Sequence, residues 1–569
     1  MNKETATLLE QHFDTAFAAP DGIAKLRELI LTLAMQGRLV EQNPNDPPAS
    51  GLLKEIEAEK QRLIKEKKIK KPKLLPLIKL EEVPYKVPQG WEWVRLGNIG
   101  IINPRNDVND SIKAGFVPMP LVPNGYSEKH QFEERLWREI KKGYTHFADG
   151  DVGMAKITPC FENAKSCVFS GLPNGVGAGT TELHIFRNTF NSVVPRFLLY
   201  HLKNPHFISS AASNMTGSAG QKRIPTPYFT EQLFPLPPLP EQHRIVARID
   251  QLMARCDELE KLRKEQERKR LAVHAAAIRG LLDASDDSAW DFIRQHFSEL
   301  YTVKENVAEL RKSILQLAVM GRLVPQDPND PPTGELLKEI KAEKRRLIKE
   351  KKIKKPKPLP PIKPEEVPYA LPQGWEWIRL REILIFGPKN GYSPKAVDYE
   401  TPVRSLTLSA TTSGTFKGEY SKYIGEHIEE DSSLWLEDGD ILVQRGNTIE
   451  YVGVSAIFHG ENNTYIYPDL MMKLRVASGL SVDYVHKMLS SDFSRNFMRS
   501  HASGTSSTMP KISQVVVNSV PFALPSIPEQ HRIVTRIDQL MALCDTLEQQ
   551  IDAANGKQTE LLNAIMAQV

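Results

Sequence analysis

Asp149, Asp151, Glu162 and Lys165 bring three carboxylates and an ammonium group into one short stretch. This is the side-chain chemistry of a metal-dependent nuclease, in which acidic ligands hold a cation beside the attacked phosphate. The spacing fits poorly, because two residues separate Glu162 from Lys165 where a Glu-x-Lys pair has one. Lysine offers a second chemistry. Residues 52–73 hold nine Lys and Arg against four Glu, and residues 336–357 hold eleven against three, for net charges of +5 and +8. Such runs suit phosphate, which a duplex presents as a dense line of negative charge, although a solvated helix end is the plainer use of the same residues. The whole chain has 74 basic and 70 acidic residues, so the part outside the two runs sums to −9.

Other catalytic patterns fail on inspection. Asn45-Asp46-Pro47-Pro48 and Asn329-Asp330-Pro331-Pro332 match the start of the Asp/Asn-Pro-Pro-aromatic motif of amino-group DNA methyltransferases, but Ala49 and Thr333 stand where the ring belongs. Without a ring to stack on an extruded base, or a Gly-rich turn to seat a nucleotide-like cofactor, these segments read as turns. The sequence contains no GxxxxGK[ST], HExxH or GxSxG pattern. Its four cysteines form no CxxC pair, which argues against a disulfide framework or a structural zinc. With 40% hydrophobic and 8% aromatic residues the chain can bury ordinary cores. It opens with no secretory signal, and its apolar runs fall short of the roughly 20 residues that span a bilayer. A soluble, cytoplasmic binder or scaffold is expected.

The elements that must position any site are written twice. Residues 23–96 return at 307–380 with an offset of 284, and EQHRIVARIDQLMARCDELE (241–260) returns as EQHRIVTRIDQLMALCDTLE (529–548) with an offset of 288. The intervening stretches, about 97–234 and 381–522, share little. Two copies of one frame therefore carry two different inserts.

Ile245, Ile249, Leu252, Cys256 and Leu259 step by fours and threes, as do Ile533, Ile537, Leu540, Cys544, Leu547 and Ile551. This heptad seam needs a helical partner. The predicted pairing sets 241–275 against helices within 304–323 and 335–352, with a turn at 283–288, and 529–566 against the N-terminal helices. Gly37 and Gly321 stand where helix C-caps belong. Pro72, Pro76, Pro84 and Pro88 precede the first insert, and Pro235, Pro237, Pro238 and Pro240 follow it, which favours stiff, extended connections. Trp91, Trp93, Trp375 and Trp377 read as core packing at the insert entrances.

The openings PQGWEWVRL (88–96) and PQGWEWIRL (372–380), the closings LPPLPEQHRIVARID (236–250) and LPSIPEQHRIVTRID (524–538), and KITPCFENAK (156–165) resemble the DNA-specificity subunits of type I restriction-modification systems. The likeness covers essentially the whole chain. It is closest to the branch with an N-terminal helical extension.

The resemblance implies an α+β protein: two globular α/β target recognition domains separated by long antiparallel helical (coiled-coil) segments, duplicated about a pseudo-twofold and closed on itself. The implied organisation is an N-terminal helical region with a basic segment (1–80), a first recognition domain (81–240) and a central helical spacer with a basic segment (241–364). A second recognition domain (365–528) and a C-terminal helix paired with the N-terminal helices (529–569) complete it. It further implies binding to a bipartite, asymmetric duplex DNA target and no catalysis or cofactor in this chain. Its partners would be two adenine-N6 methyltransferase subunits using S-adenosylmethionine and ATP-dependent endonuclease-translocase subunits using ATP and Mg2+. A duplicated coiled-coil protein–protein adaptor is the rival reading.

Sequence-specific readout needs polar side chains on loops that reach base edges. In the first insert the candidates are Lys156, Thr158, Asn163 and Lys165, with Gln221, Lys222 and Arg223 of the Gly217–Arg223 turn. In the second they are Gln444, Arg445, Asn447 and Thr448, with Thr505, Ser506 and Lys511. Lys67, Lys68, Lys70, Lys71, Lys351, Lys352, Lys354 and Lys355 are the candidate phosphate contacts.

Overall fold

The computed structural model describes residues 3–567 apart from 70, 127–128, 189, 219, 284–287, 368 and 505–508, so most of the predicted 283–288 turn lies outside the described residues. The chain is a mixed α/β protein. It divides into two units, Met1–Glu267 with Ala553–Val569, and Arg268–Asp552.

Each unit contains one copy of the frame. In the first, helices Gly22–Met35 and Ala49–Lys65 lead to strand Glu92–Arg95; strand Leu233–Leu236 then leads to the helix Leu239–Asp283. In the second, Lys304–Val319, Thr333–Lys349, Glu376–Arg379, Pro521–Leu524 and Ile527–Ala567 take the same places. The two strands of a frame pair antiparallel, Glu92 opposite Leu236 and Glu376 opposite Leu524. An insert thus leaves its frame and rejoins it at neighbouring points.

This strand pair corrects the predicted helix pairing. Ile245, Ile249 and Cys256 share a core with Ile23, Ile30 and Ala34 of the helix before the same insert, and Arg27 bonds Asp257 (2.7 Å) and Glu260 (2.9 Å). Likewise Ile533, Ile537 and Cys544 share a core with Val307 and Ile314, and Arg311 bonds Asp545 at 2.6 Å. Residues 245–256 therefore pack with Gly22–Met35, and residues 533–544 with Lys304–Val319, each within its own unit. Both copies carry the same seam, so heptad spacing has no power to choose between partners; closure of the strand pair chooses. Only the far turns differ. Leu562 and Ile565 share a core with Ala16, Phe17 and Leu29, while Ala277 and Ile278 join Leu300 and Tyr301. Leu259, 44% exposed, drops out of the predicted seam.

The frame is fastened by the same side chains twice. Trp91 Nε1 donates to Glu241 Oε2 (2.9 Å) and Trp375 Nε1 to Glu529 Oε2 (2.8 Å), with both indoles buried. The Asn-Asp-Pro-Pro segments supply carboxylates to these junctions: Asp46 bonds Arg244 and Asp330 bonds Arg532, each at 2.6 Å. At the end of the entry strand, buried Arg95 donates to the carbonyls of Pro76 (2.8 Å) and Glu231 (2.7 Å) and pairs with Glu82 (2.7 Å). Arg379 repeats this with Pro360, Ser519 and Glu366. The Pro-rich connection is thereby pinned to the strand it precedes. Gly37 and Gly321 have φ of +68° and +67°, and a Cβ at either would meet a proline ring within 2.5 Å. Glycine is required there by both backbone and packing.

The inserts share an architecture that their sequences hide. The first has a four-stranded sheet in the order Ile101–Ile102, Leu183–Arg187, Val152–Ala155, Ser166–Val168, and the second has Leu384–Asn390, Met471–Val476, Ile441–Gln444, Ser455–Ile457. Pairing is antiparallel throughout both sheets. A short helix pair follows each, Pro195–Leu202 with Pro205–Ser213 and Val482–Ser490 with Asp492–Ser500. The remaining sheets differ: four strands (Glu133–Leu136, Lys113–Val117, Val176–Gly179, Thr145–Ala148) against three (Ser421–Tyr423, Arg404–Leu406, Tyr465–Ile466).

The first unit buries His201 among Phe207 and Phe234, with neither ring nitrogen partnered among the described residues. Burial pushes its pKa down to about 3, and burial likewise lowers His184 to about 4. An unfolded histidine protonates near pH 6.5 while these refuse the proton, so stability is lost as pH falls from about 6.5 towards those values. At pH 5 each histidine should cost about 2 kcal/mol relative to neutral pH. Urea unfolding at pH 7 and pH 5 checks this: His201→Phe should lose less stability on acidification than the parent chain.

Candidate nucleic-acid interface

Two loops from distant parts of the first insert meet at one edge. The loop after strand Val152–Ala155 pairs through Ile157 with Arg223, which also pairs with Thr216. Thr158 and Lys222 bond twice, Thr158 N–H donating to Lys222 O (3.0 Å) and Lys222 N–H to the Thr158 side chain at Oγ1 (3.1 Å). The second insert repeats the construction: Gly446, after strand Ile441–Gln444, pairs with Lys511, which also pairs with Ser503. Arg223 and Lys511 are thus equivalent positions, separated by the same 288 residues as the closing helices.

A buried ion pair sets where each loop begins. Asp151 and Asp440 end the turns Asp149-Gly150-Asp151 and Asp438-Gly439-Asp440 just before the strands. Asp151 Oδ2 accepts from Ala148 N–H (2.7 Å), and its carboxylate takes Arg187 Nε (2.9 Å) and Nη2 (2.7 Å). Asp440 accepts from Glu437 N–H (2.9 Å) and from Arg475 Nε (2.8 Å) and Nη2 (3.1 Å). Burial raises the Asp151 pKa, and Arg187 opposes that rise. Asp151 is committed to this bridge, Lys165 Nζ donates to Met119 O (3.1 Å), and Glu162 is exposed. Among the described residues no cluster of three His, Cys, Asp or Glu side chains could hold a metal.

Several predicted contact residues prove to build the loops. Gln444 is fully buried; its Nε2 donates to Leu408 O (3.0 Å), Thr411 Oγ1 (3.1 Å) and Thr412 Oγ1 (3.2 Å). Its side chain is thus spent inside the insert, holding the 408–412 turn. Asn447 donates to Gln444 Oε1 (2.8 Å) and accepts from Thr448 N–H (2.7 Å). Arg223 forms a two-pronged pair with Glu182, Nε to Oε2 and Nη2 to Oε1 both at 3.0 Å, and that pairing raises its pKa. It positions the turn while its charge is balanced. Exposed and facing solvent are Asn163, Gln221, Lys222, Thr448 and Lys511; Lys156, Thr158, Lys165 and Arg445 are half-buried. Thr505 and Ser506 lie outside the described residues. Ile449 and Met509, 48% exposed each, stand beside these loops.

Lys67, Lys68, Lys71, Lys351, Lys352, Lys354 and Lys355 are exposed, and Lys70 lies outside the described residues. Lys68 pairs with Glu66 (2.8 Å) and Lys352 with Glu350 (2.9 Å). Lys344, in the second basic run, is buried and donates to the carbonyls of Arg381 (2.8 Å) and Glu382 (3.1 Å); burial lowers its pKa to about 8.

Residues 178–269 and 372–554 match the type I restriction modification DNA specificity domain. The chain is 43% identical over 558 residues to the EcoAI type I restriction enzyme specificity subunit of Escherichia coli, covering 96% of this chain and 93% of that one. It is 41% identical, with the same coverage, to the EcoEI specificity subunit of Escherichia coli. The chain belongs to the type I restriction-modification DNA-specificity family. A chain from a solved structure concerning complex assembly and conformational transition of the type I R-M system has a TM-score of 0.50, at 20% identity, over 85% of this chain and 98% of that one. At that identity the likeness concerns the fold. Within this specificity-family chain the two matched stretches each end inside a closing helix, and the 156–165 loop precedes the first of them. Among the described residues no helix is long and apolar enough to cross a membrane.

Proposed function

We propose that this chain is the DNA sequence-specificity subunit of a type I restriction-modification complex. It is a recognition subunit and not an enzyme. The observation that carries this reading is the 41–43% identity to two specificity subunits over nearly the full length. In finer terms, residues 81–240 and 365–528 are two target recognition domains, each reading one half of a bipartite, asymmetric duplex. The paired loops at 156–165 with 216–223 and at 445–448 with 503–511 are the reading edges. Residues 1–80, 241–364 and 529–569 form the spacer, duplicated about a pseudo-twofold and closed on itself, and the exposed lysines of both basic runs contact phosphate.

The chain then positions two adenine-N6 methyltransferase subunits and the ATP-dependent endonuclease-translocase subunits, in the cytoplasm and on DNA. S-adenosylmethionine, ATP and Mg2+ belong to those partners. Different loops on like scaffolds support two different half-sites. Replacing residues 97–234 by the equivalent insert of a relative is expected to change one half of the methylated sequence and leave the other half intact. Methylome sequencing of cells carrying the hybrid chain reads the outcome, and alteration of both halves would sink the modular reading.

A further inference from the structure

In each insert a cation from the helix pair reaches a main-chain oxygen of the loop that follows the central strand. In the first insert that loop makes a single helical turn, with Phe161 N–H donating to Ile157 O (2.9 Å) and Asn163 N–H to Pro159 O (3.0 Å). Lys165 N–H to Cys160 O (3.1 Å) and Ala164 N–H to Phe161 O (2.8 Å) close the turn. This closure needs a left-handed residue, and Ala164 supplies it at φ +54°, a conformation that suits glycine and strains alanine. Lys203, 2% exposed where helix Pro195–Leu202 ends, donates through Nζ to Ala164 O (2.8 Å) and to Asn124 O (3.2 Å). Asn163 is left exposed one residue before the clasped carbonyl.

The second insert reaches the same end with other residues. Tyr451 N–H (2.9 Å) and Val452 N–H (3.2 Å) both donate to Thr448 O, in a turn that exposes Thr448, Ile449, Glu450 and Tyr451. Arg495 Nη2 (2.6 Å) and Arg499 Nη2 (2.8 Å) both donate to Glu450 O. The two arginines stand four apart on helix Asp492–Ser500 and so share one face. Bringing two like charges to one oxygen is unfavourable; burial, and then Arg499, lower the Arg495 pKa to about 10. Asn204 and Ser491 cap the equivalent helices, so Ile208 and Ala212 of the first insert stand where Arg495 and Arg499 do, packed against its core. The helix pair can thus be built with apolar residues at these positions, and what the arginines add is the hold on the loop.

We infer that Lys203 and the Arg495–Arg499 pair are positioning residues for sequence readout, each fixing the reading loop of its own half-site. This rests on the functional reading above. Side chains that read base edges must be held within about 0.5 Å of their working geometry, by supporting bonds behind them. A charge-assisted bond to a carbonyl holds more firmly than a neutral one. Loss of the clasp therefore relaxes sequence preference at one half-site. Direct phosphate contact by the same cations would carry no sequence information and would leave the preference intact.

The test is methylome sequencing of cells carrying the full chain with its partner subunits; exchange of residues 97–234 identifies which half-site belongs to which insert. Arg495→Ala with Arg499→Ala should admit wrong bases at the half read by the second insert, cutting discrimination against one mismatched pair from about 100-fold to about 10-fold or less. The other half should stay as it was. Lys203→Met should do the converse, and Arg495→Lys with Arg499→Lys, which keeps the donors, should retain most of the preference. Should a variant not accumulate as folded protein, Arg499→Ala alone, or Lys203→Gln, is read in the same way with a smaller shift. Unchanged preference in both halves, or both halves relaxed by one variant, would overturn the positioning role. Sparser methylation of an unaltered sequence by a folded variant would overturn it too, in favour of phosphate contact. A parent chain that yields no bipartite methylated sequence would overturn the functional reading itself.

Discussion

Asp440→Ala is expected to cost the second insert about 3–5 kcal/mol of stability, the range for stripping the counter-charge from a buried ion pair. Asp440 is fully buried and faces two cations, Arg475 (Nε to Oδ1, 2.8 Å) and Lys473 (Nζ to Oδ2, 3.4 Å), the latter 2% exposed at its side chain. Without the carboxylate, Lys473 keeps the carbonyl of Trp435 (2.6 Å) and the ring of Phe386 (4.8 Å), neither of which carries a negative charge. The turn would also lose its bond to Glu437 N–H. Asp151→Ala in the first insert should cost less, because its partner Arg187 is 23% exposed and among the described residues no lysine pairs with it. Urea unfolding of the two variants against the parent checks both the size and the order. Equal losses would show that Lys473 adds nothing to the penalty.

The second large effect concerns DNA. Arg445→Ala combined with Lys511→Ala should weaken binding to the target duplex by about 10- to 1000-fold and flatten the slope of log affinity against log salt by about 2, if both act on phosphate. Both residues belong to the paired edge: Ile512 N–H donates to Arg445 O (2.9 Å), and Lys511 pairs with Gly446 and Ser503. Titration by fluorescence anisotropy at several salt concentrations separates the roles. Equal weakening on target and scrambled duplexes marks phosphate contact; weakening on the target alone marks base contact. Arg223→Ala should act differently, through loosening of its turn, because Glu182 already balances its charge.

The frame was legible because it is repeated: Trp91 and Trp375, or Gly37 and Gly321, announce themselves by recurring in one context. Their partners were not legible. Glu241, Arg244 and Arg95 are ordinary charged residues in sequence, and only the strand pair brings Trp91 to Glu241 across 150 residues. The likeness of the inserts was hidden for another reason. Strand order depends on which positions are buried, and many apolar residues satisfy a buried position. The chemically constrained Asp-Gly-Asp turn persists at 149–151 and 438–440 because it places a carboxylate where an arginine on a neighbouring strand needs it. The burial of Gln444 was not legible, because polarity at a strand end does not reveal which way the side chain faces.

The antiparallel pair at the foot of each insert has a consequence for heredity. From Arg95 to Leu233 the chain advances 138 residues, and from Arg379 to Pro521 it advances 142, yet both excursions end in the same register. Closing a loop costs only the logarithm of its length, so that difference amounts to roughly 0.05 kcal/mol or less. The doorway is therefore indifferent to what passes through it. On the proposed function, a lineage that exchanged one cassette for another of similar size would acquire a new address on the chromosome while the gasket that seals the cassette stayed as it was.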